Sequence, residues 1–548
     1  MEGYARRAIP GSAAIGIDKT TAVNTPSWGL PQIKEFDHEA AGFTGGTTSV
    51  VPRIANISPS GWIGLAACVV ALMLALQTLQ GPSVDYNEGV YWESLRAMAN
   101  GHPLFGSVFS SQPPLFLLSV YPFYMIFGQS LTAARLALVF FSLAGVTGTY
   151  VAGRALGHRI IGAVACLLLS LDPLYEHGAH TLQAELPSIV LQVWAVACAA
   201  LAMGATGRRR GWLAACAGVL LGCALLTKLF AIAALVPIVL YLSAPFARRW
   251  LDDDGILRQP PWRLIQEDVR QIAPTLGLLA AGLLGVIVLI LLPFIGQPGT
   301  VYDQVVRFHL VARQTISHPL HENLRLIDAT LLAAPLIYTA MLAVLVIAWR
   351  HMWVSVPLIF WALAAFVMLA QQQPLWEQHV VLLSPALALI GGCGAFAAWQ
   401  VLTAGRQRTG LAITLILLML AGGAGLAINW PRDARANART ARELEMAIAL
   451  QGVSAPDEVV LSDDQYVAAL ANRDLPPQLV DTSRVRITSG YLTAAQLEDV
   501  ITRNRIRVIL FASGRFDLLP GFHAWVAEHY RQVATFDDDG ALFLLEPK

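Results

Sequence analysis

The apolar run Trp62-Ile-Gly-Leu-Ala-Ala-Cys-Val-Val-Ala-Leu-Met-Leu-Ala-Leu76 passes through Gln77-Thr-Leu-Gln80 into Gly81-Pro-Ser-Val-Asp85-Tyr-Asn87-Glu88-Gly-Val-Tyr91-Trp92-Glu93. The run is close to the roughly 20 residues that cross a bilayer as a helix. The segment behind it gathers acids and aromatics where such a helix would reach water. Asp85 and Glu88 are three apart, which puts both on one face if the chain is helical. One reading is an N-cap with a first-turn acid beneath an aromatic interfacial anchor, Tyr91-Trp92. The other is a general base, or a metal-binding pair, at the edge of the membrane.

Comparable apolar runs recur near 133–153, 160–175, 186–204, 212–228, 229–246, 273–296, 329–349, 353–370, 380–401 and 409–428. With 62–80 they predict a mainly α fold, a polytopic membrane bundle of about eleven spans. Composition agrees: 55% of the 548 residues are hydrophobic and 14% charged, which excludes an ordinary soluble, disordered or collagen-like chain. Lys plus Arg and Asp plus Glu both number 37, so no charge excess favours a nucleic acid. The six cysteines all lie inside apolar runs and show no zinc or disulfide spacing.

Arginines fix an expected orientation. Arg154 and Arg159, Arg208 to Arg210, Arg248 and Arg249, Arg350, and Arg406 and Arg408 all fall in loops on one side of the predicted bundle, which the positive-inside rule makes the cytoplasm. Residues 113–127, short and broken by Pro113, Pro114 and Pro122, read as a helix lying on the outer face. The expected order is a disordered cytoplasmic tail (1–60), a transmembrane region (61–429) with a first external loop at 81–132, and an external α/β domain (430–548). In that last part, strand-like Glu458–Ser462 and Ile506–Phe511 alternate with helix-like Asp464–Asn472 and Ala494–Asn504. It contains no glycine-rich phosphate loop.

Other polar residues stand beside the expected outer ends of spans. Gln112 precedes a double proline, Glu185 opens an apolar run, and Lys228 interrupts two of them. Lys228 is costly there unless it reaches the surface or a buried anion. The segment holding Arg307, His309 and Arg313 is basic although it falls outside, and reads equally as a phosphate contact or as an amphipathic surface helix. His379 heads another run, as an interfacial cap or a ligand contact.

In their order, Asp85 with Glu88-Gly-Val-Tyr, Gln112-Pro-Pro-Leu, Ala184-Glu185-Leu-Pro187, Leu226-Thr-Lys228 and His379-Val-Val-Leu-Leu-Ser-Pro resemble the GT-C membrane glycosyltransferases. More narrowly they are similar to the bacterial group related to protein O-mannosyltransferases and lipid A aminoarabinose transferases. The resemblance covers about 60–430. It implies transfer of a sugar, with inversion, from a polyprenyl-phosphate carrier to a glycan, lipid or protein acceptor on the outer face of the cell membrane. It also implies that a first-loop acid acts as base. The sequence departs from the usual pattern in three places. Asn87-Glu88 stands where relatives have Asp-Glu, Gln112 where they often have Lys, and Leu229 where a glycine commonly follows Thr-Lys. Asp85 is therefore the expected base with Glu88 as partner, and Glu185, Gln112, Lys228, Arg307, His309, Arg313 and His379 are the expected substrate contacts. Asp85, Glu88 and Glu185 would also be adequate ligands for a divalent metal.

A polytopic transporter or lipid flippase would show a similar number of spans. Transporters, however, place their binding groups near the bilayer midplane, often in related repeats. Here the acids sit at span ends and no internal repeat is evident. A third reading, a membrane-anchored binding module, leaves the first-loop cluster unexplained.

Overall fold

The computed structural model describes residues 59–81, 85–247, 262–334, 336–404, 432–536 and 540–545. All of them belong to one compact unit, Ala55–Arg249 with Pro260–Lys548. The expected disordered tail, the run 409–428 and the arginines at 248, 249, 406 and 408 lie outside the described residues.

Among the described residues seven helices are long and apolar enough to cross a membrane: Leu131–Ala155, Glu185–Met203, Gly207–Thr227, Leu229–Phe246, Gln266–Phe294, Trp353–Ala370 and Glu377–Gln400. Two bent pairs, Arg159–Ser170 with Pro173–His180 and Leu320–Leu332 with Leu336–Trp349, raise this to nine if each is one span. The chain is thus a multi-pass membrane protein. The sequence reading of 160–175 and 329–349 as continuous runs needs correction, because the helices bend there by 65° and 90°. In the first pair Pro173 opens the second helix, where its ring cannot continue the hydrogen-bond ladder of the first. Between the runs 273–296 and 329–349 much of the chain is also helical, in Pro298–Tyr302, Phe308–Thr315 and Leu320–Leu332. Residues 113–127 contain the twelve-residue helix Leu115–Ile126.

Small residues let the apolar helices approach closely, as expected where neighbouring lipid is as apolar as a leucine. Gly207–Thr227 packs on Trp262–Leu291 with Gly218 and Gly282 in the contact, and a Cβ at Gly218 would stand 2.0 Å from the Leu279 carbonyl oxygen. Glu377–Gln400 is the innermost of the long helices, 89% buried, and it begins beside His379.

The carboxyl-terminal residues build a four-stranded sheet from β1 (Leu461–Ser462), β2 (Val508–Phe511), β3 (Tyr530–Phe536) and β4 (Gly540–Leu545) in the order β1-β2-β4-β3. β1 and β2 are parallel and the other pairs antiparallel. The unbroken apolar sequence of β2 follows from cover on both faces. Ile509 and Phe511 pack with Leu497, Phe516 and Phe522, while Val508 and Leu510 pack with Met446, Leu450 and Val467.

This sheet region docks on the helix Tyr86–Ala99. A Cβ at Gly89 would stand 2.4 Å from the Tyr466 backbone nitrogen, so glycine lets that helix touch Gln465–Leu470. Arg96 pairs with Asp474 and donates to Asn472 Oδ1 at 2.7 Å, and the Asn100 amide donates to Asp474 Oδ2 at 3.0 Å. Glu93 is buried in this contact with one carboxylate oxygen lacking a hydrogen-bond partner. Burial pushes its carboxyl up from 4.5 to about 8, against the pull of Arg96. The folded state therefore keeps a proton that the unfolded chain releases. The contribution to stability is present below the unfolded value and is lost as pH rises through about 8. Glu93→Gln keeps the shape and removes the charge. It should raise the melting temperature of the purified protein, with a gain that grows from about pH 5 to 8 and then levels; a gain independent of pH would contradict this origin.

Candidate active site

A cavity of about 700 Å³ opens where the spans, the first-loop segments and the carboxyl-terminal sheet meet. Its lining includes Asp85, Tyr86, Tyr91, Gln112, Glu185, Lys228, His309, His379, Asp481, Arg484 and Arg515.

Asp85 is the N-cap of Tyr86–Ala99, with extended backbone, and its Oδ1 accepts from the Asn87 N–H at 2.7 Å. Its Oδ2 accepts from the amide of Gln183. The capping function is thus fulfilled, and it also aims the carboxylate into the cavity. The two readings left open for this residue are compatible.

Glu88 is not in the cavity. Its carboxylate is fully buried and held in a two-pronged pair by Arg135, Nε to Oε1 at 2.8 Å and Nη2 to Oε2 at 2.6 Å, while Oε1 also accepts from the Leu182 N–H at 2.7 Å. Because Asp85 is an extended N-cap and not a helical residue, the i, i+3 rule does not put the pair on one face, and Glu88 points inward, toward the span that carries Arg135 and away from Asp85's cavity. Arg135 also donates to the carbonyls of Leu79 and Gly81, at 3.0 and 2.7 Å. One guanidinium thereby ties the end of the first apolar helix to the start of Tyr86–Ala99.

Glu185 and Lys228 form a buried ion pair, and His379 Nε2 lies 3.5 Å from the same carboxylate oxygen. Lys228 stands in extended backbone at the break between Gly207–Thr227 and the turn Leu229–Ala234, with its ammonium 5.3 Å from the centre of the Phe230 ring. The break is what delivers a lysine from an apolar run into a polar cavity. His309 Nε2 lies 2.9 Å from the Ser111 carbonyl; burial holds this imidazole below its usual range.

Arg307 and Arg313 do not reach the cavity. Arg307 is two-thirds exposed and pairs with Asp303 at 3.0 Å one turn away, and Arg313 is exposed on the following helix. Both side chains lie on the surface. Asp85, Glu88 and Glu185 are not gathered as a metal site either, since the latter two are engaged by Arg135 and Lys228. Among the described residues no group of three or more His, Cys, Asp and Glu side chains could hold a metal ion.

Sequence reasoning missed the carboxyl-terminal wall. Buried Asp463, which follows β1, accepts from the N–H groups of Ala512 at 2.7 Å, Ser513 at 3.1 Å, Arg515 at 2.8 Å and Phe516 at 3.3 Å. Desolvation raises its carboxyl pKa even against these bonds. The loop after β2 is thereby fixed with Arg515 over the Tyr86 ring, its Cζ 3.6 Å from the ring centre. The Thr482 N–H donates to the Tyr86 hydroxyl at 3.0 Å, placing Asp481 and Arg484 along the same wall. The usable signal was position: ligands of α/β sheets gather beyond the carboxyl ends of parallel strands, where Asp463 and Arg515 both stand.

Residues 111–257 match the family described as dolichyl-phosphate-mannose-protein mannosyltransferase. The crystal structure of ArnT from Cupriavidus metallidurans bound to undecaprenyl phosphate matches with a TM-score of 0.61 at 15% identity, over 90% of this chain and 100% of that one. Its apo state matches at 0.60 and 15%, over 89% and 99%. The apo oligosaccharyltransferase of Archaeoglobus fulgidus matches at 0.50 and 14%, over 86% of this chain and 73% of that one. No curated protein matches the sequence. At such identities the likeness to these structures is one of fold. Residues 111–257 are thus similar to the dolichyl-phosphate-mannose-protein mannosyltransferase family, and the chain has a fold like that of ArnT.

Proposed function

We propose that the protein is an integral-membrane glycosyltransferase that moves a sugar from a polyprenyl-phosphate carrier to an acceptor hydroxyl. The observation that carries this reading is the convergence of Asp85, the Glu185/Lys228/His379 group and apolar Leu229, Phe230 and Met368 on one cavity. Asp85 takes the acceptor hydroxyl proton as that oxygen attacks the anomeric carbon. The new C–O bond forms as the bond from that carbon to the carrier phosphate breaks on the opposite face, which inverts the anomeric centre. Charge grows on the departing phosphate, and Lys228, oriented by Glu185 and close to His379, stands to balance it. The apolar lining toward the spans suits the carrier's first isoprene units. ArnT, in the matching structure, is bound to undecaprenyl phosphate.

The same reading takes the arginine-rich loops as cytoplasmic and the carboxyl-terminal α/β region, with the cavity, as extracytoplasmic. It takes the full chain to have about eleven spans.

Reconstituted vesicles carrying a fluorescent polyprenyl-phosphate hexose separate this from the flippase alternative. A transferase releases polyprenyl phosphate once an acceptor extract is added, and the lipid does not redistribute between leaflets. Redistribution of intact donor without release of polyprenyl phosphate would reject the proposal.

A further inference from the structure

The cations around the cavity are not equivalent. Lys228 is paired with Glu185. Arg484 and Arg515 have no carboxylate within ion-pair distance among the described residues. Arg515 spends one Nη1 contact on the Asp463 carbonyl, at 3.2 Å, and stacks on Tyr86. A guanidinium held against an aromatic ring loses little freedom on binding, and its remaining N–H groups suit a planar or tetrahedral oxyanion. Asp481 lines the same wall with its Oδ1 occupied by the Ser483 N–H at 2.8 Å, and the Asp463 carboxylate behind Arg515 is taken up by backbone N–H groups, so neither acid forms an ion pair with the two guanidiniums.

The two cationic ends also differ in surroundings. Lys228 lies beside Leu229, Phe230 and Met368, side chains of the apolar spans. Arg484 and Arg515 come from the carboxyl-terminal region, after the last described span. We propose that Arg484 and Arg515 form a second anion subsite, distinct from the place of the carrier phosphate, and that the acceptor bears a phosphoryl or carboxylate group that docks there. The inference rests on the reading above in one respect: the Lys228 end takes the lipid phosphate. The subsite fixes the acceptor by its charge and leaves its hydroxyl within reach of Asp85, on the same cavity wall as Tyr86.

Binding of glucose 1-phosphate, glucuronate and glucose to the full chain in nanodiscs, each with and without saturating undecaprenyl phosphate, tests this. An anionic sugar should bind while the carrier is present, and neutral glucose should bind at least about tenfold more weakly. Preference for the phosphate or the carboxylate probe names the acceptor group. Arg515→Gln and Arg484→Gln should each weaken the anionic probe about tenfold and leave carrier affinity unchanged. Arg484 is exposed, so its variant reports on binding even if loss of the Tyr86 stack disturbs folding. Equal binding of the anion by wild type and Arg484→Gln, or displacement of the anion by carrier, overturns the proposal. Wild-type protein that binds no undecaprenyl phosphate overturns instead the lipid-carrier reading, and the arginine variants then still decide whether an anion subsite exists.

Discussion

Asp85→Asn lowers sugar transfer by about a hundredfold or more while the protein stays folded and binds carrier. Asparagine has the same shape and keeps one carbonyl oxygen to cap Tyr86–Ala99 through the Asn87 N–H, so the helix start survives. It cannot accept the acceptor's proton at neutral pH, and general-base assistance is worth about a hundredfold to ten-thousandfold. Donor consumption under single-turnover conditions is the measurement, with a thermal melt to confirm folding. Turnover at the wild-type rate would remove Asp85 from the mechanism.

Arg135→Leu has the second large effect, on stability. It leaves the Glu88 carboxylate buried without its cation and the Leu79 and Gly81 carbonyls without a donor, a loss of about 3–5 kcal/mol. The yield of folded protein and the melting temperature should both fall sharply. The double variant Glu88→Leu with Arg135→Leu should recover much of the loss, because removing both charges costs less than stranding one. A single variant as stable as wild type would contradict the structural role assigned to this pair. Glu88→Gln, whose neutral amide still fills the site, should retain transfer in its folded fraction. That outcome separates a positioning Glu88 from a basic one.

The membrane architecture was legible because span length is set by the bilayer, and an apolar run of that length has few other uses. Asp85, Glu185, Lys228 and His379, chosen because each stands at the end or break of an apolar run, meet in one cavity with Gln112 and His309. Position in the run carried that information. The partner of Glu88 was missed although the signal existed: Arg135 lies inside an apolar span, where an isolated cation is too costly to persist without a buried anion. Arg307 and Arg313 misled because net charge in a segment says nothing about which face of its helix a side chain occupies. The wall of Asp481, Arg484 and Arg515 depends on how the carboxyl-terminal sheet docks on Tyr86–Ala99. That docking rests on contacts between residues far apart in sequence, such as Gly89 with Tyr466 and Arg96 with Asp474, which no local pattern reveals.

Everything proposed for the cavity depends on a lipid-linked sugar being consumed there. Purified protein incubated with a panel of polyprenyl-phosphate sugars and a cell-envelope acceptor extract, followed by mass spectrometry of the lipids, asks this directly. The expected result is conversion of at least one donor to free polyprenyl phosphate by wild type and not by Asp85→Asn. No conversion of any donor, or equal conversion by both proteins, would contradict the account.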